Sequence, residues 1–174
     1  MPPDNSNRLT MCCEAEQING PRLRPVIEFE FDEIVDDHVS MWVRLRIENS
    51  VYRTGRWFYW WNIQDFADGL ARLHSELKGA CSLSDWDGEE VLCLSMLDPV
   101  RGRIGVAGQL NQYVFADRVI GNGDFVFPQM FGDRAGVVVS FHGLVTDQSY
   151  LPALISGFHF FLNTSGISHR RFWS

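Results

Sequence analysis

Residues 26–48 read VIEFEFDEIVDDHVSMWVRLRIE. Ile27, Phe29 and Phe31 alternate with Glu28, Glu30 and Asp32, and after Asp36 and Asp37 the residues Val39, Met41, Val43, Leu45 and Ile47 alternate with polar positions. Side chains of a strand point to opposite faces in turn, so this pattern predicts two half-buried strands joined as a hairpin. For the apolar faces to coincide, Phe31 stands opposite Val43 and Phe29 opposite Leu45, with an odd-numbered loop around Asp36 and Asp37. That register sets Glu30 against Arg44 and Glu28 against Arg46, so the outer face agrees with the inner one.

Next in the chain stands VYRTGRWFYW, residues 51–60, followed by Trp61. Alternation sends Trp57, Tyr59 and Trp61 one way and Phe58 and Trp60 the other, which makes both faces apolar. The expectation is a central or doubly covered strand, the spine of the sheet and the floor under the next helix, and not an exposed platform. Asn62 is placed to cap that helix, with Asp65 at its third position. Ile63, Phe66, Leu70, Leu73 and Leu77 recur on one stripe until Gly79.

Beyond Gly79, ACSLSDWDGEE reads as a loop or short strand. VLCLSMLD and RIGVAGQL flank the turn residues Asp98, Pro99 and Gly102 and predict another hairpin. Tyr113 to Arg134 reads as a long loop or interrupted edge strand. AGVVVSFHGLV is a last strand, and Leu151, Leu154, Ile155, Phe158, Phe161 and Leu162 mark a last helix, with Ser149 as its cap and Pro152 at its third position. Hairpin-connected strands carrying helices predict an α+β fold, mainly an antiparallel β-sheet with two helices packed on it. Residues 1–24 mix Pro, Asn, Gly and charge without a period and read as a flexible N-terminal arm, with 25–174 as a single domain.

The chain of 174 residues carries a net charge of -7 and is 45% hydrophobic, enough to bury a core without staples. That field disfavours direct binding to nucleic acid and favours a basic protein partner. Cys12, Cys13, Cys81 and Cys93 show neither zinc-ligand spacing nor a disulfide framework. Neither a signal peptide nor a membrane span is visible, so the reading is cytoplasmic, with no membrane partner.

The catalytic templates find no good match. GNGDFV lacks the third glycine of a nucleotide loop, SDWDGEE misplaces the glycine of a calcium loop, and the five histidines are scattered. No catalytic residue, cofactor or metal ligand is therefore assigned. The best binding candidate is the acidic stretch Asp85, Trp86, Asp87, Glu89 and Glu90, in which one ring stands among four acids as an anchor does at an interface with a basic protein. Its competitor is a turn with the ring folded back onto the core.

Three stretches together resemble the bacterial WapI-like immunity proteins: GRWFYWWNIQDFADGLARLHSELKGACSL, the hairpin LCLSMLDPVRGRIGVAGQL, and VVSFHGLVTDQSYLPALISGFHFFL. The likeness spans roughly residues 55–162. It implies a small cytoplasmic protein, encoded beside a toxin, that binds its cognate toxin, for example a basic nuclease, and occludes the active site without catalysis of its own. The resemblance carries over no toxin-contacting residue. Two alternatives stand beside it. One is a small-ligand protein or enzyme with a pocket between sheet and helices walled by the rings of Trp57 to Trp61. The other is a module of a larger assembly that uses Phe125, Phe127 and Phe131 as an exposed patch.

Overall fold

A computed structural model of the chain describes residues 7–15, 23–113 and 136–164. Its elements in chain order are β1 (Arg8–Cys12), β2 (Glu14–Ala15), β3 (Val26–Val35), β4 (His38–Ile47), β5 (Ser50–Tyr59), α1 (Trp60–Glu76), β6 (Ala80–Ser84), β7 (Glu90–Asp98), β8 (Arg103–Tyr113), β9 (Gly136–Asp147) and α2 (Leu151–Thr164). The fold is α+β, as the sequence predicts, but the strands form two antiparallel sheets and not one. Their orders are β1-β3-β4-β5 and β2-β9-β8-β7-β6. The expected long loop from Tyr113 to Arg134, with Phe125, Phe127 and Phe131, falls almost wholly outside the described residues.

The hairpin of β3 and β4 buries the faces that alternation selects: Ile27, Phe29, Phe31, Val39, Met41, Val43 and Leu45 are all inside. Its register lies two residues from the expected one. Phe31 pairs with Met41, Phe29 with Val43 and Ile27 with Leu45. The turn holds only Asp36 and Asp37, with Asp36 at φ 52°, and an even loop alone would set Phe31 opposite Trp42. A bulge between Phe31 and Glu33 inserts the one residue that returns both apolar sets to the same side. The two charge pairs form nonetheless, as diagonal contacts. Arg46 Nη2 lies 2.6 Å from Glu28 Oε1, and Arg44 bonds Glu30, which Arg8 Nη2 also meets at 2.8 Å.

The first nine described residues overturn part of the flexible-arm reading. Arg8–Cys12 pairs with β3, and after Cys13 the same run pairs Glu14 and Ala15 with Val145 and Leu144 of β9, so one stretch edges both sheets. Met11 and Cys13 are buried, and Thr146 Oγ1 donates to Cys12 O at 2.6 Å. Gly157 of α2 makes room for β1, since a Cβ there would stand 2.1 Å from Leu9 Cδ2. Burial pushes the Cys13 thiol up to about 12, and the Cys81 thiol likewise.

One hydrophobic cluster runs through both sheets and both helices. At its centre Phe158 of α2 meets Phe29, Phe31 and Phe66 edge-on, with centroids 5.3, 5.8 and 5.5 Å apart. Each such ring contributes roughly 1.5–3 kcal/mol by burial alone. Helix α1 buries Ile63, Phe66, Leu70 and Leu73 of the expected stripe, and the chain leaves the helix at Leu77 in a left-handed conformation. The N-terminal caps differ from expectation. Helix α1 starts at Trp60, so Asn62 lies inside it. The cap ahead of α2 is Asp147 and not Ser149: Asp147 Oδ1 accepts from the Ser149 N–H at 2.8 Å, starting a 3-10 turn, Gln148–Tyr150, that runs into α2.

Candidate functional site

Strand β5 is an edge strand and not the spine of a sheet. Of the five rings in RWFYWW, only Phe58 is fully buried, while Trp57, Tyr59 and Trp60 are half-buried and Trp61 is exposed. The reason is geometric. Helix α1 takes off at Trp60 and turns Ile63, Phe66, Leu70 and Leu73 into the core, and the described residues cover Trp57 and Tyr59 only in part. An edge strand with two apolar faces and a central strand with two apolar faces have the same sequence pattern, which is why alternation misassigns this one.

The rings beyond Phe58 form an unbroken series with two residues from elsewhere. Tyr59 and Trp61 stack at 4.3 Å with planes 9° apart, and Trp60 meets Trp61 edge-on at 5.9 Å. His38 is the cross-strand partner of Tyr59, 4.8 Å away, and Trp86 stands edge-on to His38 at 5.9 Å. Trp86 is 44% exposed and Trp61 40% exposed. Two backbone bonds join the three segments: Trp60 N to Asp37 O at 3.1 Å and Trp86 N to Trp57 O at 3.0 Å.

Trp86 is held out by the turn between β6 and β7, and here the acidic stretch divides. Asp85 is 1% exposed. Its Oδ1 accepts from the N–H of Asp87 at 3.1 Å and of Glu89 at 2.9 Å, while Gly88 supplies the left-handed corner at φ 81°. Its Oδ2 bonds Arg56 of β5, itself 7% exposed, and the same guanidinium reaches Glu89 Oε2 at 2.8 Å. Glu89 also accepts from Asn111 Nδ2 at 3.1 Å, and Thr54 Oγ1 donates to Asn111 O at 2.6 Å. A buried ion pair persists only when its remaining polar atoms are also satisfied, as they are in this network. Asn62 adds a brace by donating to Ser84 O at 3.0 Å and Asp85 O at 3.2 Å.

Of the five residues singled out by sequence, then, Asp85 and Glu89 face Arg56 and fix the turn. Trp86, Asp87 and Glu90 remain at the surface. Sequence reasoning missed His38, Tyr59 and Trp61 as companions of Trp86. The available signal was the ring density of RWFYWW, read there as core. Asp36, Asp65 and Asp87 are exposed around the rings, and residues 36–38, 57–65 and 84–90 contain no Lys or Arg. The π-density of the rings and the exposed carboxylates together give this surface a negative field.

Two surface clefts, one at the C-terminal end of α1 and one on the outer face of β7, β8 and β9, include none of the rings of Trp57 to Trp61. Among the described residues no group of three His, Cys, Asp or Glu side chains is placed to hold a metal ion, and no helix is long and apolar enough to cross a membrane. No family model matches the chain, and neither does any curated protein or solved structure.

Proposed function

We propose that the chain is a non-enzymatic immunity protein that binds a cognate toxin, a basic nuclease being the class its charge suits, and shields the toxin's active site. The observation that carries this reading is a partly exposed series of rings, ending in Trp86 on a turn fixed by a buried ion pair, in a chain of net charge -7. Rigid aromatic anchors lose little conformational entropy on binding, and surrounding acids raise the association rate with a basic protein. The resemblance of residues 55–162 to WapI-like immunity proteins supports the same reading and supplies the toxin as the kind of partner. Under it the protein works in the cytoplasm and needs no cofactor.

The test is co-expression with the protein encoded beside it in a sensitive host. Restored growth, together with a purified one-to-one complex in which the partner's activity is lost, is the expected result. Growth arrest that persists, with the partner fully active in the presence of excess chain, overturns the proposal.

A further inference from the structure

We propose that residues 51–55 of β5 receive an extended acidic segment of a partner protein as an added strand of the first sheet. The inference goes beyond the immunity reading and stands without it. Among the described residues β5 is the last strand of its sheet, and its pairing with β4 runs from Ile47 and Ser50 to His38 and Tyr59 without a bulge. The two-residue turn of Glu48 and Asn49 makes Ile47 and Ser50 the bonded pair that closes the hairpin. Hydrogen-bonding direction alternates along a strand, so Ser50, Tyr52 and Thr54 turn their N–H and C=O to β4, while Val51, Arg53, Gly55 and Trp57 turn theirs outward. Trp57 confirms the phase, since its carbonyl accepts the Trp86 N–H at 3.0 Å. The same bond shows that this edge takes a backbone partner from outside the sheet. At Thr54 the second sheet is still in reach, with Thr54 Oγ1 on Asn111 O at 2.6 Å. Towards the turn, Val51 is 57% and Tyr52 38% exposed, and Ser50 and Arg53 are exposed as well. A straight edge strand of this kind, exposed on both faces, is a template for strand addition.

Charge selects the occupant. Arg53 stands directly opposite Arg44, a like-charge pairing that costs stability, and Arg46, opposite Val51, is its diagonal neighbour. The Arg53 guanidinium lies 5.2 Å over the ring of Trp42, and that indole lies across Gly55, where a Cβ would stand 3.1 Å from it. Stacking holds one face of the guanidinium and leaves its N–H edge to bond a carboxylate. A strand added beyond β5 sets every second side chain beside Val51, Arg53 and Gly55, and the alternate ones beside Tyr52. The matching segment therefore alternates acidic with apolar residues. Its carboxylate beside Arg53 offsets the pairing with Arg44, and its apolar side chain packs on Tyr52. A second copy of β5 would instead bring another arginine to this edge.

The test uses the full chain labelled with 15N and a capped heptapeptide of alternating glutamate and valine. One control replaces glutamate by lysine; another is N-methylated at every residue, which keeps the charge and removes the backbone donors. The expected result is that the amides of Val51, Arg53 and Gly55 shift and gain protection from hydrogen exchange, with the N-methylated peptide inert and the lysine peptide about tenfold weaker. Arg53→Glu should reverse the order of the glutamate and lysine peptides. Val51→Pro, a change that an edge strand tolerates where its N–H points outward, should lose binding while the amide spectrum stays dispersed. An N-methylated peptide that binds as tightly, or protection confined to amides outside residues 51–55, overturns the proposal. Protection of the same amides that rises with protein concentration in the absence of peptide assigns the edge to a second copy and overturns it as well.

Discussion

Among the described residues, two clusters of rings have opposite fates. Around Phe158 of α2 the partners Phe29 and Phe31 from β3 and Phe66 from α1 are buried. Around Tyr59 the partners are His38, Trp61 and, through His38, Trp86, with two of these rings 40% exposed or more. The inner cluster is phenylalanine, which has no polar atom to satisfy. The outer one is tyrosine, tryptophan and histidine, each with a polar edge that water or a partner can reach. Aromatic density by itself therefore does not mark a core; the type of ring and the position of its strand in the sheet decide.

The sharpest way to break this comparison is to truncate one ring from each cluster. Phe158→Ala should cost about 4 kcal/mol in denaturant unfolding, because three edge contacts and a full burial disappear together. The second experiment addresses what holds the outer cluster in place. Asp85→Ala leaves Arg56 buried without its main partner and should cost about 3 kcal/mol, with Trp86 becoming more mobile in 15N indole relaxation. An unchanged indole would show that the backbone bonds and the Asn62 brace fix the turn without the ion pair. Third, Trp61→Ala should lower stability by less than about 1 kcal/mol. A loss comparable with that of Phe158→Ala would mean that both clusters are core. The smallest effect concerns ordinary surface charge, against which the outer cluster is judged. The hydrogen bond from Arg8, helped by Arg44, holds the Glu30 carboxyl below the usual range. Its stability contribution is thus complete above the unfolded pKa of about 4.3 and is lost as pH falls through the lower folded value. Glu30→Gln should flatten the fall in stability between about pH 5 and 3 by a few tenths of a kcal/mol, since the pair is partly open to solvent.

Local periodicity made much of the fold legible. The faces of β3 and β4, the stripe of α1, the hairpin at Asp98 to Gly102 and the stripe of α2 all follow from patterns within a dozen residues. What escaped depends on partners far away in the chain. Strand β1 offers only Leu9 and Met11 as an alternating pair, and it is a strand because β3 and α2 receive it. The two-residue slip in the first hairpin came from a bulge, which a strict alternation cannot signal. Asp85 looked like a surface acid because Arg56, 29 residues earlier, gives no local hint of reaching it. At the candidate site the sequence pointed to Trp86 and to the dense rings separately, and only the fold brings them together through His38.

The run from Arg8 to Ala15 edges both sheets, closing against Leu144 and Val145. During synthesis the second half of their pairing does not exist until more than about 120 further residues have been made. The pairing of β2 in the second sheet consequently waits for β9. Contacts of such sequence separation slow folding, and until β9 arrives the backbone of Glu14 and Ala15 stays open to other chains. A truncation that removes residues 1–15 should thus show itself first as aggregation of nascent or refolding protein, before any change at the distant ring surface.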